Sequence, residues 1–430
     1  MTFLSFSPVI LLFVLFGLRV PIAISLLTAT AFYFGFVNTF MPKETMIQTM
    51  VASMESFPYL AIPFFTCAGV VFNYAGITER LMRLAELLFG HMRGGMAQVN
   101  VALSAMMGGL SGSANADAAM QTKMIVPEME KLGYDRAFST VVTAASACIT
   151  PIIPPGIILI LYALVADVSV AKMFLAGFLP GLMLCVILMI TVAVISRIKG
   201  YAPSRESRAS LKEIGAQLVR SIWALLLPFG IIMGLRFGVF TPTEAGAVAV
   251  VYALFVGAVI YRELKWSDLS KIVEESVLAT AGVMFIICAA NAFAAYLTWE
   301  GIPAAFSSYL LSSISDPIVL LLVINLLLLF IGFFFEGGSA IILMTPLLLP
   351  VATQLGIDPV HFGIIMAVNL TIAGFTPPVG TMMFITISIA KVRIEDYVRH
   401  AWPFFIALVF ALFLLSVFPQ IALFLPETFL

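Results

Sequence analysis

Charge is what this chain has least of. Of its 430 residues only 10% are Asp, Glu, Lys or Arg, and there are three histidines. An ordinary soluble protein carries about 25% charge and about 45–50% apolar residues. Here the apolar share is 62%. No water-soluble fold hides that much apolar surface. Soluble enzymes, nucleic-acid binders and disordered tails are therefore excluded, and the solvent is lipid. The 22 basic and 23 acidic residues nearly cancel, so net charge identifies no partner. Cysteine is scarce too. Cys67, Cys148, Cys185 and Cys288 stand singly in apolar runs, without metal spacing or a disulfide framework. Also missing is the Gly-rich loop ending in Lys-Ser/Thr that cradles nucleotide phosphates. Uphill movement by this chain would have to draw on an ion gradient. The alternation of a membrane β-barrel is absent, and continuous apolar runs mean helices. The N-terminus lacks a basic n-region and a small-residue cleavage site, so it reads as a retained first helix.

What the chain does have is a repeat. Its longest polar stretch, 197–220, divides it into nearly equal halves. At an offset of 223, Gly109 meets Gly332, Pro127 meets Pro350, Leu132 meets Leu355, Gly133 meets Gly356 and Asp135 meets Asp358. Pro154-Pro155 meets Pro377-Pro378, and Pro180 meets Pro403. Gly17-Leu18-Arg19 echoes Gly234-Leu235-Arg236 at a slightly different spacing. The first half predicts spans at 4–18, 20–38 and 56–74, then an amphipathic helix in the cytoplasmic interface at 77–93. Two apolar limbs follow at 96–110 and 116–131, then a helix at 135–167 broken by Pro151, Pro154 and Pro155, and a span at 172–196. The second half predicts spans at 218–236, 243–262 and 278–298, a hairpin at 317–355, a broken helix at 359–391 and a span at 395–420. Each limb of the first hairpin reaches only about 23 Å at about 1.5 Å per residue, short of a hydrocarbon core of about 30 Å. Such hairpins re-enter on their own side, and irregular backbone at that depth must line a cavity or be buried in protein.

The expected fold is an all-α polytopic membrane protein, an inverted repeat of five spans plus one re-entrant hairpin each. Residues 1–196 form the first repeat, 197–220 a cytoplasmic linker and 221–430 the second repeat. With that linker inside, all of the 22 basic residues but Lys43, Lys172 and Arg236 fall in the cytoplasm. Both termini are then periplasmic.

Inverted repeats, broken helices and paired hairpins mark a secondary transporter with its site near the midplane. Half-helix N-termini offer N–H donors to an anion, and half-helix C-termini offer carbonyls to a small cation. One Na⁺ clamp would join Ser111, Ser113 and Asn115 to the break at Thr150 and Pro154. Its symmetry mate would join Gly337 and Gly338 to Thr376, Pro377 and Gly380, with Thr376 adding a hydroxyl. Ser111, Ser113, Gly156, Glu336 and Ser339 are candidate substrate contacts. Plainer readings stand beside these. Ser113 and Asn115 can be caps, with Asp117 in a favourable first turn. The Pro pairs can be kinks. Glu336, the one acid in a long apolar stretch, is either functional or a solvated charge at a tip. His91, His361 and His400 make no metal pattern. Gly109-Leu110-Ser111-Gly112 matches the Gly-x-Ser-Gly of rhomboid-type proteases, but His361 is assigned to the far end of a helix. A passive channel is the third class, which Na⁺-dependent, saturable uptake would exclude.

The turn Gly108-Gly109-Leu110-Ser111-Gly112-Ser113-Ala114-Asn115-Ala116-Asp117 resembles the large membrane subunit of tripartite ATP-independent periplasmic (TRAP) transporters. So do Ile153-Pro154-Pro155, Gly356-Ile357-Asp358-Pro359-Val360-His361-Phe362-Gly363 and Thr376-Pro377-Pro378-Val379-Gly380. The resemblance runs over essentially the whole chain. It implies a bacterial inner-membrane importer driven by Na⁺, with no organic cofactor. A periplasmic binding protein would deliver an organic acid, and a small four-helix membrane subunit would flank the scaffold. It also implies an elevator, with scaffold helices at 1–93 and 221–315 and transport elements at 94–196 and 316–430. Sialic acid is favoured as substrate, C4-dicarboxylates next. A self-sufficient Na⁺/carboxylate symporter of the same fold is the alternative. Gly156 departs from the pattern, because many relatives carry serine there, which removes a hydroxyl from the expected substrate cavity.

Overall fold

The computed structural model describes residues 3–430 apart from positions 19, 39, 41, 56, 315, 334, 378 and 379. Arg19, Pro378 and Val379, each part of a motif above, lie outside the described residues. Every regular element among the described residues is helical. The first half contains α1 (Phe3–Gly17), α2 (Ile22–Phe32), α3 (Glu44–Met54), α4 (Ala61–Tyr74) and α5 (Ile77–Phe89). The first hairpin follows as α6 (Gly95–Ser111) and α7 (Ala114–Lys131), then the broken helix as α8 (Arg136–Ser146) and α9 (Ile157–Val165), then α10 (Val170–Lys199). The second half runs α11 (Leu211–Arg236), α12 (Pro242–Phe255), α13 (Leu269–Trp299) and α14 (Ile302–Ser313). Its hairpin is α15 (Pro317–Gly332) and α16 (Gly337–Gln354), and its broken helix α17 (Pro359–Phe375) and α18 (Thr381–Ala390). The long helix α19 (Ile394–Val417) and the short α20 (Gln420–Phe429) complete it.

Local chemistry accounts for the ends. Asp135 and Asp358 cap α8 and α17, accepting from Phe138 N at 2.9 Å and Val360 N at 2.8 Å. Each follows a glycine at positive φ, Gly133 at +84° and Gly356 at +77°, where the preceding helix terminates. The correspondence extends to whole elements. Helices α7 and α16 begin and end 223 residues apart, and α8 and α17 begin 223 apart. Helices α2 and α12 both continue into a π-helical turn, Tyr33–Val37 and Val256–Ile260, again 223 apart. The two broken helices also meet at equivalent positions, where Cys148 Sγ donates to Thr371 O at 3.5 Å.

Two helix starts differ from the sequence expectation, and further helices are added. Helix α11 starts at Leu211, inside the stretch read as linker, because Ser210 and Glu213 form a reciprocal capping box. Helix α13 starts at Leu269 and not near 278, since Lys271, Glu274 and Glu275 hide its first turns from an apolar count. Helices α3, α14 and α20 are additions, and α3 is half polar, so no apolar run announced it.

Among the described residues seven helices are long and apolar enough to cross a membrane. Five shorter apolar helices accompany them. The outer surface agrees with a lipid solvent. On α10, Phe178, Leu182, Val186, Ile190, Val194 and Ile198 form an exposed stripe every four residues, a patch that a monomeric soluble protein rarely leaves bare. Inside, buried tyrosines satisfy their hydroxyls. Tyr162 donates to Pro359 O at 2.6 Å, Tyr296 to Ser5 O at 2.6 Å and Tyr397 to Phe375 O at 3.1 Å. Buried amides bolt each hairpin to the broken helix beside it. Asn100 Nδ2 donates to Thr143 Oγ1 at 2.7 Å in the first half, and Asn369 Nδ2 to Asn325 Oδ1 at 2.9 Å in the second. The protein is thus a polytopic helical membrane protein whose two hairpin tips turn inward.

Candidate substrate and ion site

The tips meet at one cavity of about 240 Å³. Residues 111–116 form one wall and Glu336–Ser339 another. The starts of α9 (Ile157, Ile158) and α18 (Thr381, Met382) complete that side. The facing side belongs to α4, through Thr66, Gly69, Val70 and Asn73, and to α13, through Ala279, Val283 and Ile286.

The first tip is held by backbone and side chain. Ile157 N donates to Gly112 O at 3.3 Å, joining the tip to the break. Ser113 caps α7, accepting from Ala116 N at 3.4 Å. Asn115 Oδ1 accepts from Thr381 Oγ1 at 3.3 Å, linking the first hairpin to the broken helix of the other half. Ser111 is 9% exposed, and its hydroxyl has no partner. At the second tip Glu336 is a helix cap. Its carboxylate accepts from Gly338 N at 3.1 Å and Ser339 N at 3.3 Å, while the side chain opens on the cavity.

Of the expected site residues, Ser111, Ser113, Asn115, Glu336, Gly337, Gly338 and Ser339 come together in this cavity, whereas Thr150, Pro154, Gly156, Thr376, Pro377 and Gly380 do not line it. Thr150 sits behind the first tip, donating to Asp117 Oδ2 at 2.7 Å. The Thr376 hydroxyl donates to Ile372 O at 2.6 Å, which leaves its oxygen lone pairs able to meet a cation. Among the described residues no hydrogen bond joins 336–339 to the break at 376–380. Gly156 stands outside the cavity lining, and a Cβ built there lies 1.9 Å from Pro151 O, so a side chain at this position needs the break to shift. The protease reading lacks its base, because Ser111 is unpartnered and His361 Nε2 lies 2.8 Å from Leu415 O.

Sequence reasoning missed the role of Asp117. It is fully buried and accepts from Ser104 Oγ at 2.9 Å, Thr150 Oγ1 at 2.7 Å and Gln121 Nε2 at 2.7 Å. Gln121 follows at i+4 on the same face, the one signal that sequence offered. Ser104 and Thr150 come from α6 and the break, which only the fold brings near.

Four helix N-termini converge here, those of α7, α9, α16 and α18. Ser113 and Glu336 cap two of them. The N-caps of α9 and α18 are Gly156 and Gly380, which supply no side-chain acceptor. Two positive helix ends are therefore left toward the cavity. Among the described lining residues there is no Lys, Arg or His. Nor do three or more His, Cys, Asp or Glu gather anywhere among the described residues as a metal cluster. The site can attract an anion by helix ends and a hard monovalent cation by neutral oxygens.

Known proteins agree with this architecture. The profile described as the tripartite ATP-independent periplasmic transporter, DctM component, matches residues 9–421. The sialic acid TRAP transporter large permease protein SiaM of Vibrio cholerae is 39% identical, covering 89% of each chain. The 2,3-diketo-L-gulonate TRAP transporter large permease protein YiaN of Escherichia coli is 36% identical over 95% of this chain and 96% of its own. The C4-dicarboxylate TRAP transporter large permease protein DctM of Pseudomonas aeruginosa is 36% identical over 87% of each. In fold, the chain is similar to the Alcanivorax borkumensis YdaH transporter, with a TM-score of 0.66 at 14% identity over 96% of this chain and 98% of that one. The residues matched by the profile and the extent of the relatives leave one assignment: the chain belongs to the DctM component family, the large permeases of TRAP transporters.

Proposed function

We propose that this chain is the moving subunit of a Na⁺-driven importer of an organic acid in a bacterial inner membrane. The observation that carries the reading is the convergence of four helix N-termini on one cavity without a basic side chain. A carboxylate is drawn to the ends of α9 and α18, which no side chain caps. One Na⁺ sits among Ser111, Ser113 and Asn115 and the carbonyls of the adjoining break. Another sits between Gly337-Gly338 and the backbone at Thr376, Pro377 and Gly380. The 223-residue correspondence of elements, and the contact of Cys148 with Thr371, support an inverted repeat around a pseudo-two-fold axis. The hairpins and broken helices then travel as an elevator against the remaining helices. A periplasmic binding protein delivers the acid, and a small membrane subunit widens the static wall. Relatives are named for sialic acid, 2,3-diketo-L-gulonate and C4-dicarboxylates. Sialic acid remains the preferred substrate here and C4-dicarboxylates the next.

Ser111→Ala tests the ion site. The hydroxyl has no partner in the structure, so its loss leaves the melting temperature unchanged. The Na⁺ concentration for half-maximal uptake by the reconstituted complex rises about 5-fold or more, the effect of one lost oxygen ligand worth roughly 1 kcal/mol or above. An unaltered Na⁺ titration removes Ser111 from the ion site. Orientation has its own test. Alkaline phosphatase fused after Leu430 is active in the periplasm, and the same enzyme inserted within 200–210 is silent. The opposite pattern rejects the orientation with its inverted repeat.

A further inference from the structure

Many helical threonines in this chain turn back on their own helices, and others, such as Thr243 and Thr381, reach a neighbouring element. Thr28 donates to Ile24 O at 2.8 Å, Thr30 to Leu26 O at 2.7 Å, Thr140 to Arg136 O at 2.7 Å and Thr345 to Ile341 O at 2.7 Å. Each reaches the carbonyl four residues before it, the usual resting place for a hydroxyl in an apolar surround. Thr66 on α4 does not. It is 8% exposed, its hydroxyl has no partner, and it lines the cavity. A buried hydroxyl without a partner is costly unless something else satisfies it. Gly69, Val70 and Asn73 complete the same face of α4 at i+3, i+4 and i+7, and the exposed Asn73 lines the same cavity two turns on. Gly69 brings this face close to the first tip, since a Cβ there would lie 3.2 Å from Ser111 O. The α13 part of the same wall, packed beside α4, is apolar, made of Ala279, Val283 and Ile286.

We propose that Thr66, with Asn73, is a specificity-determining subsite that reads hydroxyl groups on the substrate. This rests on the reading of the cavity as an organic-acid site. The hairpins and broken helices hold the carboxylate at helix ends, and α4 holds the other end of the molecule. Both α4 groups are neutral and each can donate and accept, which matches an alcohol and gives a second carboxylate no cation. The favoured ligand is a carboxylic acid bearing hydroxyls along one edge, with its less polar edge against α13. Because α4 belongs to neither hairpin nor broken helix, the contact is made by a wall that the sequence motifs do not mark.

The test compares two acids of equal chain length, D-gluconate and hexanoate. This chain with its small subunit is placed in lipid nanodiscs in NaCl, and the concentration of each acid that gives half-maximal thermal stabilisation is measured. The wild type responds to D-gluconate at the lower concentration. Thr66→Val, which removes no existing hydrogen bond, keeps the ligand-free melting temperature. It raises the D-gluconate value about 3- to 10-fold and leaves hexanoate within about 2-fold. Thr66→Ser restores the wild-type ratio. An unchanged D-gluconate value in Thr66→Val, or equal shifts for both acids, overturns the subsite while the transport reading stands. If neither acid stabilises the wild type, the organic-acid reading of the cavity falls and the subsite falls with it.

Discussion

Proteoliposomes holding this chain alone take up no organic acid under an imposed Na⁺ gradient, even when those holding the chain, the small subunit and the external binding protein do. The cavity explains why. Its attraction for a carboxylate comes from two uncapped helix ends, those of α9 and α18, with no basic side chain among the described lining residues. Each end contributes about 0.3–1 kcal/mol, up to about 2 kcal/mol when partly buried. The two ends alone reach about 4 kcal/mol, equivalent to a dissociation constant near 1 mM. At roughly 1 μM solute such a site is filled only about a thousandth of the time. A soluble protein of high affinity must concentrate the acid and release it at the outer mouth. The measurement is uptake of labelled acid by vesicles of the three compositions. Strong Na⁺-driven uptake by the lone chain would sink the tripartite reading and favour a self-sufficient symporter of the same fold.

Replacing Gly156 by serine or alanine has the second large effect, and on folding in the first place. Gly156 caps α9 at the end of the Pro-rich break, and any Cβ there would lie 1.9 Å from Pro151 O. Backbone cannot yield as a flexible side chain does. Overpacking at well-filled sites costs typically 1–3 kcal/mol, and an overlap with main chain belongs at about 3 kcal/mol or more. Gly156→Ser and Gly156→Ala should lose folded protein to a similar degree, because the cause is the first carbon and not the hydroxyl. Yield of monodisperse protein and its melting temperature in detergent measure this. A Gly156→Ser variant that melts like the wild type and binds its acid more tightly would return position 156 to the cavity.

The sequence and the structure part company in instructive places. The 223-residue correspondence of elements was legible because proline, glycine and N-cap aspartate are read locally. Asp135 and Asp358 cap whatever follows them, and a glycine at positive φ ends a helix wherever it stands. The hairpin tips were legible for the same reason. Asp117 looked like an ordinary first-turn charge, because two of its three donors come from elements 13 and 33 residues distant. Glu336 looked like an isolated acid, yet its carboxylate closes the turn that begins α16. Thr66 had no signal at all, since a threonine in an apolar helix normally donates to its own backbone. Helix starts carrying charge, as in α11 and α13, escaped a reading tuned to apolar runs.

Cys148 and Thr371 occupy corresponding places in the two halves, and they touch. Under the proposed inverted repeat, a point in contact with its own counterpart lies on the axis that exchanges the halves. In the proposed cycle that crossing would tie the two broken helices together, so the two proposed ion clamps would shift in the same stroke.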